Sequence, residues 1–109
     1  MDNLTRKERD MEEILYLYPH RYWHGISIEQ MMFANYGQGQ DTGMRLIQWC
    51  EISRALDEAL NLREKTFVSF TYWMEVDWKE TCKACRLREW QWNRFRKKVL
   101  RKLITFLGL

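Results

Sequence analysis

The chain has 109 residues, of which 46% are hydrophobic, 15% aromatic and 30% charged, with a formal net charge of +3. This composition excludes a disordered tail, and one proline with five glycines excludes collagen-like and linker-rich chains. No apolar run reaches the roughly 18 residues that a membrane helix needs, and the charged N-terminus lacks the apolar core of a signal peptide. We therefore expect a small folded domain in the cytoplasm, with no membrane partner.

The first predicted element is a helix over residues 4–18. Thr5 and Glu8 have the spacing of a capping box at its start. Its apolar face recurs at helical spacing and comprises Met11, Ile14, Leu15 and Tyr18. Its acids are interpreted as a solvated helix face rather than a catalytic pair: Glu8, Asp10, Glu12 and Glu13.

A connector at 19–25 and a short helix at 28–35 are predicted next. Residues 35–43 contain three of the five glycines and predict a flexible loop. This loop is the natural boundary in the chain. It separates an acidic helical segment, 1–43, from a helical domain, 44–109.

Four further helices are predicted, at 44–60 and at about 63–75, 78–85 and 88–106. The stripe expected to face inward on the first comprises Leu46, Trp49, Cys50, Leu56 and Leu60. The second repeats Phe67, Phe70 and Met74 at helical spacing. No strand pattern competes with these helices, so the predicted fold class is all-α.

Charge is distributed unevenly along the chain. Residues 1–61 carry six Lys and Arg against ten Asp and Glu, whereas residues 62–109 carry twelve against five. Within 86–102, eight cations accompany a single acid, Glu89. Such a cationic stretch attracts polyanions, because neutralised phosphates release condensed counterions. A solvated helix face that aids solubility is the alternative.

The last two predicted helices have the pattern of a helix-turn-helix, with the turn at 86–88. Asp77 can cap the first of them, with Glu80 as its capping-box partner. The second places these side chains inward: Trp92, Phe95, Val99, Leu103 and Phe106. It exposes Glu89, Gln91, Asn93, Arg94, Arg96, Lys97, Lys98, Arg101 and Lys102. A recognition helix needs such a packing face, and a polar face for base edges and phosphates.

Residues 63–103 resemble the C-terminal region 4 of bacterial sigma-70 family factors, which is a helix-turn-helix that contacts DNA. The positions that match the family pattern without a gap are Phe67, Phe70, Tyr72, Glu80, Cys82, Cys85, Leu87, Trp92 and Phe95. Residues 98–103, Lys-Val-Leu-Arg-Lys-Leu, resemble the closing Lys-Ala-Leu-Arg-Lys-Leu of the family. The resemblance implies an all-α domain whose helix-turn-helix spans about 63–106.

Four positions depart from the family pattern. Arg86 replaces the turn glycine, so a positive φ or a reshaped turn is expected there. Thr81 replaces a buried isoleucine, and Arg88 replaces the serine that would cap the recognition helix. Trp90 stands where the family has a small polar base-reading residue, so it is expected to contact either DNA or a protein.

The resemblance implies a transcription regulator that binds double-stranded DNA. The residues expected to contact bases are Glu89, Trp90, Asn93 and Arg94, with arginine suited to guanine and asparagine to adenine. The residues expected to hold phosphates are Arg86, Arg88, Gln91, Lys97, Lys98 and Arg101. The architecture resembles small phage-encoded late-gene regulators and antiterminators of the Q type. That likeness implies a bacterial host cell, with RNA polymerase or a second copy of the chain as partners.

The cysteines and histidines suggest a second kind of site. Cys82 and Cys85 form a C-x-x-C pair that could complete a zinc site with His20 and His24. Both cysteines fall on helix positions that are expected in the core, where a free thiol packs as a small hydrophobe. We therefore expect no metal and no disulfide framework.

No sequence motif predicts an enzyme or a cofactor. The glycines at 37–40 are not followed by the Lys-Ser/Thr pair of a phosphate-binding loop, and no G-x-S-x-G occurs. The alternative to a DNA-binding regulator is a protein-interaction module with an aromatic contact surface, directed at polymerase or at a host complex.

Overall fold

The computed structural model describes residues 4–20, 30–34 and 44–109. This part of the chain is mostly helical, which confirms the helical character of the fold class. Its α-helices are α1 (Arg6–Leu17), α2 (Trp49–Glu58), α3 (Leu62–Val68), α4 (Trp78–Ala84) and α5 (Trp92–Phe106). The last three lie close to the predicted positions.

Between α1 and α2 in the chain, two strands pair in antiparallel fashion: β1 (Gln30–Ala34) and β2 (Met44–Gln48). The helix predicted at 28–35 is therefore wrong over β1, and the next predicted helix begins only at Trp49. Short apolar runs satisfy helix and strand patterns alike. Here two such runs exchange backbone hydrogen bonds instead of forming separate helices. The loop predicted at 35–43 lies outside the described residues.

The predicted capping box starts α1. The Thr5 hydroxyl accepts a hydrogen bond from the Glu8 N–H at 3.2 Å, and the Thr5 N–H donates to the Glu8 carboxylate at 2.8 Å. The helix ends in a 3₁₀ turn over Tyr18–His20, as Pro19 requires. Three of the four predicted inward residues are buried, and the fourth, Tyr18, is half-buried.

One hydrophobic core joins α1, α2, α3 and α5, so it includes residues on both sides of the boundary placed at 43. Phe67 is fully buried at its centre, with ring centroids 4.9 Å from Trp92 and 5.2 Å from Phe95. On α2 and α5, two of the predictions of inward-facing side chains are wrong, because Cys50 and Phe106 are exposed. α5 buries Leu100 instead, so its packing face is wider than predicted.

A π-helical turn over Ser69–Trp73 changes the register of the helix that begins with α3. A π turn takes more residues than an α turn, so the side chains after it rotate around the axis. Tyr72 consequently enters the core, whereas Met74, predicted to face inward, is 62% exposed. Glu75 then adopts φ 52°, where the chain leaves the helix.

The connection between α4 and α5 is a tight turn, so 78–106 is not one continuous helix. The Leu87 N–H donates to the Cys82 carbonyl at 2.8 Å and the Arg86 N–H to the Lys83 carbonyl at 3.2 Å, which is the Schellman pattern. Arg86 has φ 57°, so the predicted positive φ at this position is confirmed. The Arg63 side chain donates to the Cys85 carbonyl at 2.6 Å and to the Arg86 carbonyl at 3.3 Å. These bonds hold the turn in place.

We expect Arg86→Gly to raise the free energy of unfolding by about 0.5–1 kcal/mol, because glycine adopts positive φ without the Cβ clash. The Arg86 side chain is exposed, so the substitution removes no core contact. Urea unfolding would measure the change. Arg88→Gly is the matched control, since Arg88 is also exposed but has φ −79° and gains nothing from glycine. Equal or opposite shifts in the two variants would contradict this account of the turn.

Candidate nucleic-acid interface

α5 is held to the rest of the protein by three buried carboxylates. The Arg96 guanidinium contacts both Glu12 oxygens at 2.6 and 2.7 Å, and Arg101 Nε lies 2.8 Å from Glu8 Oε2. Lys102 Nζ lies 2.9 Å from Glu64 Oε1 and 2.7 Å from its Oε2. The exposed fractions of these acids are 1% for Glu8, 8% for Glu12 and 0% for Glu64.

These pairs correct two sequence predictions. Glu8 and Glu12 do not belong to a solvated face of α1, because they lie under the cations of α5. Arg96 and Lys102, predicted to be exposed, are part-buried and paired. Burying a carboxylate without a partner is costly, so the acids of α1 and α3 fix one side of α5 against the fold.

Tyr72 and Trp73 strengthen this attachment from the π turn. The Tyr72 hydroxyl donates to Glu12 at 2.5 Å, and the Trp73 indole N–H donates to the Leu15 carbonyl at 2.9 Å. Burial, together with the neighbouring Glu12 carboxylate, raises the pKa of Tyr72 well above its usual range. The Tyr72 hydroxyl therefore stays protonated and donates a hydrogen bond. Glu12 accepts hydrogen bonds both from Arg96 of α5 and from Tyr72 of the π turn.

Glu8 has a pKa that is lowered from its ordinary value. Burial acts to raise it, but the Thr5 N–H, the Arg101 guanidinium and the charge of Lys97 together outweigh burial. A carboxyl with a lower pKa in the folded state stabilises the fold above its unfolded value, about 4.3. This contribution disappears as the pH falls through the lower, folded value.

We therefore expect the free energy of unfolding to decrease as the pH falls below about 4. Glu8→Gln should flatten part of this decrease, because glutamine retains the capping-box geometry without the ionisable group. Urea unfolding of the two proteins between neutral and acid pH measures the difference. Parallel curves at all pH values would show that Glu8 makes no such contribution.

Trp90 lies in the 3₁₀ turn Glu89–Gln91, just before α5. The side of α5 away from the core carries a cationic stripe, which we define as Arg94, Lys97, Lys98 and Arg101; of these, Lys97 is part-buried and Arg101 also contacts Glu8. Spacings of three and four residues place these side chains on one face of the helix. Within the described part of the chain, no ion pair joins Arg94, Lys97 or Lys98 to an acid. The stripe borders an open cleft of about 710 Å³, which Ala59, Thr105 and Phe106 also line.

Only part of the predicted base-contacting set lies on the cationic stripe. Arg94 does, and its guanidinium lies 5.9 Å from the centre of the Trp90 ring, so Trp90 adjoins the stripe. Glu89 and Asn93 lie on another side of the helix, where they line a second cleft of about 400 Å³. The structure thus brings together half of the predicted set and separates it from the other half.

Three aromatic side chains line the second cleft together with polar and charged residues, and we call it the aromatic cleft. Besides Glu89 and Asn93, its lining comprises Glu12, Tyr16, Thr71, Trp78, Trp92 and Arg96. Trp78 and Tyr16 are 39% and 49% exposed, and the Thr71 hydroxyl is buried with no hydrogen-bond partner within the described residues. The cleft therefore offers aromatic surface next to a polar floor.

The other predicted phosphate contacts differ in their availability. Arg86 and Arg88 are exposed in the turn before α5. Gln91 accepts a hydrogen bond from the Arg88 N–H at 2.9 Å, so its side chain is engaged in capping. Arg101 is exposed over 65% of its side chain although it contacts Glu8, so it can still face a ligand.

The cysteines of the C-x-x-C pair lie in the core, as predicted. Cys82 and Cys85 are buried, and burial raises the pKa of each thiol. His20 is exposed, and His24 lies outside the described residues. Among the residues that the structure describes, no group of three or more His, Cys, Asp or Glu could hold a metal ion.

Sequence reasoning missed Arg63 and Glu64, which position α5 from α3. The Arg63 guanidinium lies 5.0 Å from the centre of the Phe95 ring while it holds the turn, and Glu64 pairs with Lys102. Asn61 and Glu64 form a capping box at the start of α3, a signal that was readable in the sequence. No local signal marks the partner of Arg63.

Comparison of the chain with protein-family models, curated proteins and solved structures found no match. None of the helices in the described ranges has the length and apolar character needed to cross a bilayer.

Proposed function

We propose that the protein binds double-stranded DNA and regulates transcription, with α4 and α5 acting as a helix-turn-helix. The observation that supports this function most directly is the division of charge around α5. Arg96, Arg101 and Lys102 contact buried acids, whereas Arg94, Lys97 and Lys98 form no ion pair with an acid among the described residues. A helix on which some cations are paired with buried acids, while others have no acidic partner, is suited to binding a polyanion through the unpaired ones.

In this proposal the N-terminal half of α5 enters the major groove. Arg94 reaches a base edge, where its planar guanidinium suits guanine. Lys97 and Lys98 hold phosphates, and Arg86 and Arg88 contact the backbone from the turn. Arg63 keeps the turn and α5 in a fixed relation, so these contacts are preorganised.

A single helix-turn-helix reads few base pairs, so specific binding favours a second DNA-binding unit. We propose that this unit is a second copy of the chain or a DNA-bound RNA polymerase. A phage origin for the protein is part of the same proposal, and its support is the resemblance of the architecture to small phage-encoded regulators.

A salt series of binding to genomic DNA fragments tests the proposed function. Affinity should fall steeply between low and physiological ionic strength. Arg94→Ala should lose about 1–3 kcal/mol of discrimination between preferred and random duplexes, whereas Lys98→Ala should weaken all sequences alike. If both variants bind DNA as the parent does, the assigned recognition face is wrong.

A protein-interaction module is the second candidate, and the aromatic cleft is the observation that favours it. Tyr16 and Trp78 remain half-exposed there, and aromatic side chains of this kind dominate protein–protein contacts. Binding through this cleft should respond little to salt and should be weakened by Tyr16→Ala. Under the DNA-binding proposal, Tyr16→Ala leaves the affinity for DNA unchanged.

A further inference from the structure

Trp90 is the most exposed aromatic side chain in the part of the chain that the structure describes, at 68%. It lies in the 3₁₀ turn Glu89–Gln91 that leads directly into α5. An indole left in water gains none of the free energy that its burial would provide, so an exposed tryptophan is typical of a contact surface. The surroundings of Trp90 indicate what it contacts.

One cation lies beside this indole, and others are close to it in the chain. The Arg94 guanidinium lies 5.9 Å from its ring centre, and Lys97 follows one turn further along the same face. Arg86 and Arg88 are exposed just before it in the chain. An aromatic ring in a positively charged surface is the arrangement with which proteins stack unpaired bases while they neutralise the adjoining phosphates.

An intact duplex offers little to this side chain. Its major groove presents the edges of stacked bases, which are read by hydrogen-bond donors and acceptors. Indole has one N–H donor and no acceptor, so it reads an edge poorly. Its large apolar face matches the face of a base, which is accessible only where the base stack is open.

We infer that Trp90 stacks on an unpaired or unstacked base, and that the preferred ligand is duplex DNA containing an open base step. This inference rests on the proposed function for the phosphate contacts that hold the neighbouring duplex. In this inference Arg94 has two roles: its guanidinium lies against one side of the indole ring, and it also remains close to the bases. The cationic stripe then holds the duplex while Trp90 contacts the opening.

Fluorescence anisotropy of the full chain with three labelled DNAs tests this inference. The DNAs share one sequence and are a complete duplex, the same duplex with a short central bubble, and a single strand. At low salt, about 50 mM, the parent should bind the bubble more tightly than the duplex by about 5- to 150-fold, the range typical of one stacked base. Trp90→Ala should abolish this preference and retain duplex affinity, and Trp90→Phe should keep part of it.

Leu62→Ala is the matched control, because Leu62 is an 81% exposed apolar residue on α3, outside the cationic stripe. It should keep the full preference for the bubble. Equal parental affinities for bubble and duplex would overturn the inference and leave the proposed duplex binding intact. Trp90-dependent binding to the bubble and the single strand, without binding to the duplex, would support the inference and reject the duplex function. A preference for the bubble that Trp90→Ala leaves unchanged would also overturn it.

Discussion

Glu12→Ala should lower the free energy of unfolding by about 3 kcal/mol, the lower end of what breaking a buried ion pair costs. The substitution removes both acceptors of the Arg96 guanidinium and the acceptor of the Tyr72 hydroxyl. Arg96 would remain as a part-buried charge without this partner, and the Tyr72 hydroxyl would remain buried without its carboxylate acceptor. The lower end applies because the Arg96 side chain retains 19% exposure and some hydration.

Glu13→Ala is the matched control, because Glu13 is the next residue of α1 and is exposed. Its effect should stay within about 0.5 kcal/mol in the same urea titration. A second variant replaces the whole network by apolar groups: Glu12→Leu, Arg96→Met and Tyr72→Phe. This triple variant should recover most of the lost stability, since the three polar groups of the network are removed together. Equal stabilities of the Glu12 and Glu13 variants would contradict the anchoring role of Glu12.

Local signals predicted the fold where a short stretch of sequence determines its own structure. The Thr5 capping box and the Asp77 cap are present, and Arg86 has the positive φ expected where the turn needs glycine. Caps and turns satisfy backbone groups within a few residues, so their chemistry is visible in the sequence. The Glu80 part of the second capping box was wrong, because that carboxylate contacts Lys83 at 3.3 Å.

Features that depend on distant residues were not predictable in this way. The π turn was missed because no local pattern marks it, and the contacts of its residues Tyr72 and Trp73 are with α1, about 60 residues earlier in the chain. The strands at Gln30–Ala34 and Met44–Gln48 were missed because each depends on the other. Whether a short apolar run forms a helix or a strand depends on the segment that it packs against.

The candidate site shows the same limit in electrostatic terms. An acid-rich α1 and a cation-rich α5 both predict solvated faces when each is considered alone. In the folded chain Glu8 contacts Arg101 and Glu12 contacts Arg96, which lie on α5, 93 and 84 residues away in sequence. The sequence therefore predicted the cationic stripe, which includes Lys97 and Lys98, but not the buried acids that pair with other cations of α5.

We expect the triple variant Arg94→Ala, Lys97→Ala, Lys98→Ala to lose two to three powers of ten in DNA affinity at about 0.1 M salt. Each phosphate contact contributes about 0.9 to the slope of log affinity against log salt, so that slope should decrease by about 2 to 3. Stability should fall by no more than about 1 kcal/mol, because these side chains form none of the anchoring pairs and only the charge of Lys97 acts on one of the anchoring acids, Glu8. Anisotropy titrations at several salt concentrations and urea unfolding measure the two quantities.

The control removes three cations from elsewhere on the surface, Arg6 on α1, Lys65 on α3 and Lys83 on α4. Their ion-pair partners are Asp10, Asp57 and Glu80. Both triple variants have the same net charge, so a uniform attraction between protein and DNA would weaken them equally. A contact surface on α5 predicts a large loss in the first variant and a small one in the control. Similar losses in both variants would assign the affinity to net charge and remove α5 from the interface.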